Sequence, residues 1–207
     1  MLIRTAWVAA LAAAALQLTP RAPDIFFVPT WQPVVYRMLE LAEVTKDDVV
    51  YDLGSGDGRI VIIAAQKYGA RGVGVELDPK LIEISRQVAR EAEVSERVTF
   101  LQGDLFQADI SAATVVTLFL SPSVNAELEP KLRRELRPGT RIVSHQFAIG
   151  RWPPLKTVRA PEDKTDLFLW VIPRRELVGG DSHPKELQQE GQEIRRDLSK
   201  IFSERSC

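Results

Sequence analysis

Three carboxylates, Asp52, Glu76 and Asp104, each stand at the end of an apolar run, and the first is followed at once by the glycine turn Gly54-Ser55-Gly56-Asp57-Gly58. Glycines in such a turn take positive φ and carry no Cβ, so the backbone can approach a ligand that any larger residue would hold off. The helix expected behind the turn offers unpaired N–H groups at the same place. A dinucleotide fingerprint, G-x-G-x-x-G, would need its third glycine where Arg59 stands; here it comes one residue early, at Gly58. Asp52, two residues ahead of the first glycine, would repel a pyrophosphate and favour a ligand bearing an ammonium group. S-adenosylmethionine is such a ligand, with an amino acid tail, a sulfonium and no phosphate.

The elements needed to hold these residues follow from the pattern around them. Val50–Leu53 is a buried strand entering the turn, and a helix from about Gly58 to Tyr68 is closed by Gly69. Gly72-Val73-Gly74-Val75-Glu76 is a second strand, its acid about twenty residues beyond the turn, where a carboxylate accepts from ribose hydroxyls. Asp78-Pro79 supplies an N-cap and first helical residue, and Leu81, Ile82, Ile84, Val88 and Ala89 give that helix its apolar residues. The third strand, Val98–Gln102, runs into Gly103-Asp104-Leu105, placing Asp104 to accept from an adenine amine. Three acids ending three successive strands would line one crevice, as in open α/β sheets.

Elsewhere, Val34, Val35, Met38, Leu39, Leu41 and Ala42 recur at helical spacing after Thr30-Trp31-Gln32-Pro33. A fourth strand is expected over Ala113–Leu120, a helix through Leu128, Leu132 and Leu136, and a fifth strand over Arg141–His145. Leu155–Ala160 and Asp166–Ile172 form a closing hairpin about the polar turn Pro161-Glu162-Asp163-Lys164. The connection from the fifth strand to this hairpin is too short for a full helix.

These segments resemble the class I S-adenosylmethionine-dependent methyltransferases over roughly residues 30–173. The resemblance implies an α/β domain over residues 25–174: a Rossmann-like seven-stranded class I methyltransferase sheet with helices on both faces. It also implies S-adenosyl-L-methionine as cofactor, Asp52 meeting the methionine ammonium through the glycine loop, and Gly54, Ser55, Gly56 and Gly58 wrapping the methionine moiety. Glu76 would hold the ribose, and Leu77 with Asp104 and Leu105 would frame the adenine. Thr30 would either reach the cofactor or cap its helix.

The segment Leu120-Ser121-Pro122-Ser123-Val124-Asn125 stands where such enzymes usually face their substrate. It contains no Asn-Pro-Pro-Tyr or Asp-Pro-Pro-Tyr, which disfavours adenine bases and glutamine amides as acceptors. Phe27–Thr30, Val50–Ile60, Thr114–Asn125 and Val143–Phe147 together resemble a narrower group. These are the small membrane-associated protein-lysine methyltransferases that act on the adenine nucleotide translocase and the ATP synthase c subunit, with their bacterial relatives. The resemblance implies a protein substrate, with a membrane protein among the candidates, without naming it. Ser121 and the carbonyls of Leu120 and Ser121 would orient the amine; His145 is a candidate base or a packing group. A methyltransferase for a membrane-borne quinone or lipid, and a non-catalytic S-adenosylmethionine-binding protein, are the alternatives.

At 207 residues with 27 basic and 28 acidic side chains, net charge −1, the chain has the size of one domain and no long basic run for nucleic acid. Cys207 is the single cysteine and His145 and His183 are isolated, so neither a disulfide framework nor a metal cluster is expected. Arg4 followed by the apolar run Thr5–Leu16 reads as a signal-like or anchor segment within residues 1–24. Because the methyl donor is cytoplasmic, the expectation is membrane association with the catalytic domain facing the cytoplasm; export after cleavage is the alternative. Residues 175–207 form a charged tail, partly helical by its spacing of Leu187, Ile194, Leu198 and Ile201.

Overall fold

A computed structural model describes residues 28–173. The signal-like or anchor segment and the charged tail therefore lie outside the described residues. The elements run α1 (Gln32–Leu41), β1 (Val49–Leu53), α2 (Arg59–Tyr68), β2 (Arg71–Glu76), α3 (Pro79–Glu91), β3 (Val98–Gln102), β4 (Val115–Leu118), α4 (Pro122–Glu135), β5 (Arg141–His145), β6 (Lys156–Ala160) and β7 (Thr165–Val171). They build one seven-stranded sheet of order β3-β2-β1-β4-β5-β7-β6, with β7 antiparallel to both of its neighbours. The first five strands are parallel, and the strand order reverses direction between β1 and β4. That reversal is the topological switch point, where the two flanking connections leave to opposite sides and open a crevice at the strand carboxyl ends.

Alternation along the strands feeds two cores. Val50, Val115, Val143 and Leu167 point to one face and pack with α1, α2 and α3, through Val34, Met38, Val61, Ala64, Ile82 and Ala89 among others. Tyr51, Leu53, Val116, Leu118, Ile142 and Trp170 point to the other face, where α4 contributes Val124, Leu128 and Leu132. Because parallel strands covered on both sides must be apolar on both sides, β1 and β4 read as nearly continuous apolar runs.

The local signals behave as their chemistry requires. Asp78 caps α3 by accepting from Lys80 N at 2.8 Å, Pro79 following it at the first helical position. Gly69 ends α2 at φ 71°, its N–H reaching the Ala64 and Ala65 carbonyls. The structure trims β4 from Ala113–Leu120 to Val115–Leu118, since Phe119 and Leu120 already turn out toward α4. It also takes Ile84 off the buried side of α3: Ile82, Ser85 and Ala89 are buried while Ile84 is 47% exposed.

Among the described residues α4 is the one helix on the second face. No helix occupies the β5–β6 connection, as its length foretold, and none occupies the β3–β4 connection either. Ile110, Ala113, Ile149 and Trp152 from these two connections cover the sheet instead, Trp170 Nε1 donating to Trp152 O at 3.1 Å.

Candidate active site

The carboxyl ends of β1, β2, β3 and β4 surround a cavity of about 480 Å³, within the range of small-molecule sites. Of the residues expected at a cofactor site, Thr30, Asp52, Gly54, Ser55, Glu76, Leu77, Asp104 and Leu105 line it. Gly56 and Gly58 belong to the same turn but stand behind the lining. Gly58 caps α2 at φ 77°, and a Cβ there would lie 2.5 Å from Phe100 Cε1, so this glycine serves the packing of the turn onto β3.

Glu76 organises the turn as much as it faces the cavity. Its Oε2 accepts from Gly56 N at 2.9 Å, and its Oε1 accepts from Leu77 N at 2.8 Å and Asp78 N at 3.0 Å. A carboxylate fixed by three N–H donors keeps lone pairs in a set direction, which is what a vicinal pair of hydroxyls needs. The turn is further tied down by Gly54 N and Ser55 N, both donating to Val75 O, and by Ser85 Oγ, 3.0 Å from Gly56 O.

Asp52 is buried at the end of β1, and Thr117 on neighbouring β4 donates to its Oδ1 at 2.7 Å. Burial pushes this carboxyl up to about 7; the Thr117 hydrogen bond opposes the rise, and the charges of Glu76 and Asp57 add to it. A buried carboxyl in that condition is completed by a cation. Asp104, at the end of β3, accepts from Phe106 N at 2.9 Å.

The cavity fits the donor expected from the sequence. Ser55 Oγ is buried there without a hydrogen-bond partner among the described residues, leaving a polar atom for a ligand. A Cβ on Gly54 would come within 2.9 Å of Leu120 Cδ2, so the space beside the turn exists because residue 54 has none. Acids for a cation and for hydroxyls, an unsatisfied hydroxyl and the apolar walls Val28, Pro29, Leu81, Phe119 and Leu120 suit a sulfonium nucleoside bearing an amino acid tail.

Ser121 and His145 do not line the cavity. Ser121 is the N-cap of α4, its Oγ accepting from Val124 N at 3.4 Å and lying 3.0 Å from Ser123 Oγ. His145 is buried, with Nε2 at 2.9 Å from both Asp163 Oδ2 and Thr165 Oγ1, and its ring lies 4.2 Å from that of Phe119, centroid to centroid. Burial lowers its pKa below the usual histidine value, against the opposing pull of Asp163. The imidazole thus stands one layer behind the cavity wall, with Phe119 between.

Sequence reasoning missed Thr117, Ser85, Asp57, Arg59 and Phe119. Thr117 and Ser85 act across 65 and 29 residues of chain, on Asp52 and Gly56, and no local spacing announces such partners. Asp57 and Arg59 were visible as charged residues inside a glycine turn, which is itself a signal.

Residues 52–156 match the profile of the ANTKMT methyltransferase domain. A protein-lysine N-methyltransferase of Saccharolobus islandicus is 44% identical over 153 residues, 72% of this chain and 95% of that protein. The chain belongs to the ANTKMT methyltransferase family. The family match begins at Asp52 and ends at Lys156, so it takes in the glycine turn, Glu76 and Asp104 and leaves Thr30 outside.

The adenine nucleotide translocase lysine N-methyltransferase of Mus musculus is 41% identical over 114 residues, 55% of this chain and 49% of that protein. This family member thus spans about half the length of its mouse relative but nearly all of its archaeal one. Among solved structures, one described as an RNA methyltransferase from Salinibacter ruber, in complex with S-adenosyl-L-homocysteine, is 56% identical. It superposes with a TM-score of 0.69 over 75% of this chain and 100% of that one. The class I fold, the S-adenosylmethionine cofactor and the protein-lysine methyltransferase kinship read from the sequence are borne out.

Proposed function

We propose that this chain transfers a methyl group from S-adenosylmethionine to the ε-amine of a lysine in a protein, and the observation that carries the choice of acceptor is the 44% identity to the protein-lysine N-methyltransferase of Saccharolobus islandicus rather than the charge of the cavity. Asp52, Asp57, Glu76, Asp78 and Asp104 line it, against Arg59 as the one base among the described lining residues, and Arg59 is forked onto Asp57. That kinship weighs for a protein acceptor over a polynucleotide, despite the description of the Salinibacter ruber relative.

When bound, the cofactor supplies an electrophilic methyl group on a sulfonium. The chain's own task is to align a neutral amine and keep water away. Phe119, Leu120 and Val124 make the apolar stretch of the wall, and an ammonium entering it is desolvated, which lowers its pKa and favours the nucleophilic free amine. Ser121 holds the start of α4 and thereby the position of Leu120 and Val124. His145 backs Phe119 from the sheet.

The apolar run Thr5–Leu16 supports retention at a membrane with the domain on the cytoplasmic side, close to the methyl donor. No helix of the described residues is long and apolar enough to cross a membrane. A membrane-embedded protein acceptor accords with that placement. Mass spectrometry of the native N-terminus tests it: an intact Met1 in a membrane fraction supports the anchor, and cleavage near Ala15 in an exported fraction removes it.

Incubation of the purified chain with methyl-labelled S-adenosylmethionine and host membranes, proteins and RNA, with Asp52→Ala as control, tests the acceptor. Label recovered as methyl-lysine after acid hydrolysis is the expected result. Label in RNA or in the lipid extract, with none in protein, would overturn it.

A further inference from the structure

Arg59 opens α2, and a cation there stands against the helix dipole, which favours anions at a helix N-terminus. Its guanidinium is held nonetheless. Nε donates to Asp57 Oδ1 at 2.9 Å and Nη2 to Asp57 Oδ2 at 2.5 Å, a fork that aims the remaining nitrogen. That nitrogen, Nη1, donates to the main-chain carbonyl of Thr30 at 2.9 Å. Thr30 lies 29 residues away, immediately before Trp31, the N-cap of α1, whose carbonyl receives Val34 N and Val35 N.

Both partners of this contact face the cavity. Val28, Pro29 and Thr30 line one side of it, Asp57 and Arg59 another. Val28 is 60% exposed although it borders the cavity, whereas Thr30, whose carbonyl Arg59 holds, is buried. Gly58, in the left-handed conformation at φ 77°, stands between Asp57 and Arg59, whose side chains meet across it. The residue that departs from the dinucleotide fingerprint thus has a use of its own.

We propose that Arg59 is a positioning residue for cofactor retention: aligned by Asp57, it latches the Val28–Thr30 segment to the glycine turn and completes one wall of the cavity. The inference rests on the S-adenosylmethionine reading above and deepens it. The contact is to a main-chain carbonyl, so it constrains the path of the segment whatever side chains the segment carries. Lysine in place of Arg59 keeps the charge but cannot fork onto Asp57 and reach Thr30 O together. Release of the latch lets the segment swing out and speeds ligand departure.

The test measures dissociation rates of S-adenosylhomocysteine and of 5′-methylthioadenosine, which lacks the amino acid tail, from the full chain. Wild type is compared with Arg59→Lys, Arg59→Ala, Asp57→Asn and the Asp57→Asn/Arg59→Ala double variant, with urea unfolding to verify folding. Arg59→Lys and Arg59→Ala are expected to release both ligands about tenfold faster or more, the loss associated with one charge-assisted hydrogen bond. The double variant is expected to match Arg59→Ala, because the two residues act as one unit. Amide exchange at Thr30 and Trp31 should rise in the same variants while α2 amides stay protected.

Faster loss of S-adenosylhomocysteine with 5′-methylthioadenosine unaffected would overturn the latch, since Arg59 would then be holding the ligand's carboxylate directly. Unchanged rates in both lysine and alanine variants would overturn it too, with the cofactor reading intact. A wild-type chain that binds neither ligand would remove the cofactor reading and the latch with it.

Discussion

Asp52 and Thr117 face each other across the β1–β4 pairing, the threonine hydroxyl donating to Asp52 Oδ1 at 2.7 Å at the point where the sheet reverses its strand order. Thr117 is fully buried and Asp52 nearly so, and the hydroxyl holds the carboxyl in one orientation toward the cavity. The pair turns the topology of the sheet into an electrostatic feature of the site.

Cofactor affinity should therefore depend on pH through Asp52. Its carboxyl is raised to about 7 in the folded chain from 3.8, so the folded state holds a proton that the unfolded chain releases. The stabilisation from this group is full below 3.8 and is lost as pH rises through about 7. The ligand's ammonium group needs the ionised form, so affinity should rise about tenfold per pH unit below 7 and level off above it. Calorimetric titration of S-adenosylhomocysteine from pH 5.5 to 8 checks this. Asp52→Asn should bind weakly and show no such slope.

Glu76 should prove indispensable to the turn as well as to the ligand. Glu76→Gln retains the shape but loses the charge that three N–H donors share, and each charge-assisted hydrogen bond contributes about 1.5–3 kcal/mol. A fall of about tenfold to a hundredfold in S-adenosylhomocysteine affinity is expected, and Glu76→Ala should fall further. An affinity within twofold of wild type for Glu76→Gln would contradict the role.

Gly58 and Gly139 offer a matched comparison, with φ 77° and 87°. Alanine at either position bears the left-handed strain of about 1–2 kcal/mol. At Gly58 its Cβ would also meet Phe100 at 2.5 Å and 2.7 Å, whereas at Gly139 nothing lies within 4 Å. Gly58→Ala should be destabilised by about 2–4 kcal/mol and Gly139→Ala by about 1 kcal/mol, read from urea midpoints. Equal midpoints would mean that Phe100 yields.

His145 should support Phe119 rather than move protons. Burial lowers its pKa, so its stabilising contribution is present above the ordinary histidine value of 6.5 and is lost as pH falls through the lower, folded value. His145→Gln should weaken that acid sensitivity in urea unfolding. Its turnover should fall by less than about tenfold, below the range typical of a lost general base, with the pH–rate profile keeping its inflections. A profile that loses its acid limb would restore His145 as a proton acceptor.

Ser121→Ala should cost about 1 kcal/mol of stability as a lost helix cap, while retaining methyl transfer. A hundredfold drop in kcat with the fold intact would show that Ser121 reaches the acceptor amine.

What the sequence alone determined about this protein is what is written locally. The strand, glycine turn and helix around Asp52, the Asp78-Pro79 cap of α3, the acids closing β2 and β3, the final hairpin and the missing helix after β5 each depend on neighbours a few residues away. Seven of the expected cofactor residues, Asp52, Gly54, Ser55, Glu76, Leu77, Asp104 and Leu105, came together for that reason, since each sits at or just past the end of a strand whose direction the parallel sheet imposes.

Tertiary structure alone decided the rest. Thr117 on Asp52, Ser85 on the turn, Arg59 on Thr30 O and Phe119 over His145 join elements far apart in the chain. Ser121 and His145 were legible as polar residues beyond apolar strands. The Ser121 side chain is set by its own cap on Val124 N, and that of His145 by the β5–β7 register, with Asp163 and Thr165 on its ring. Register and burial are properties of packed pairs, and a pair has no signature in either partner's own stretch of sequence.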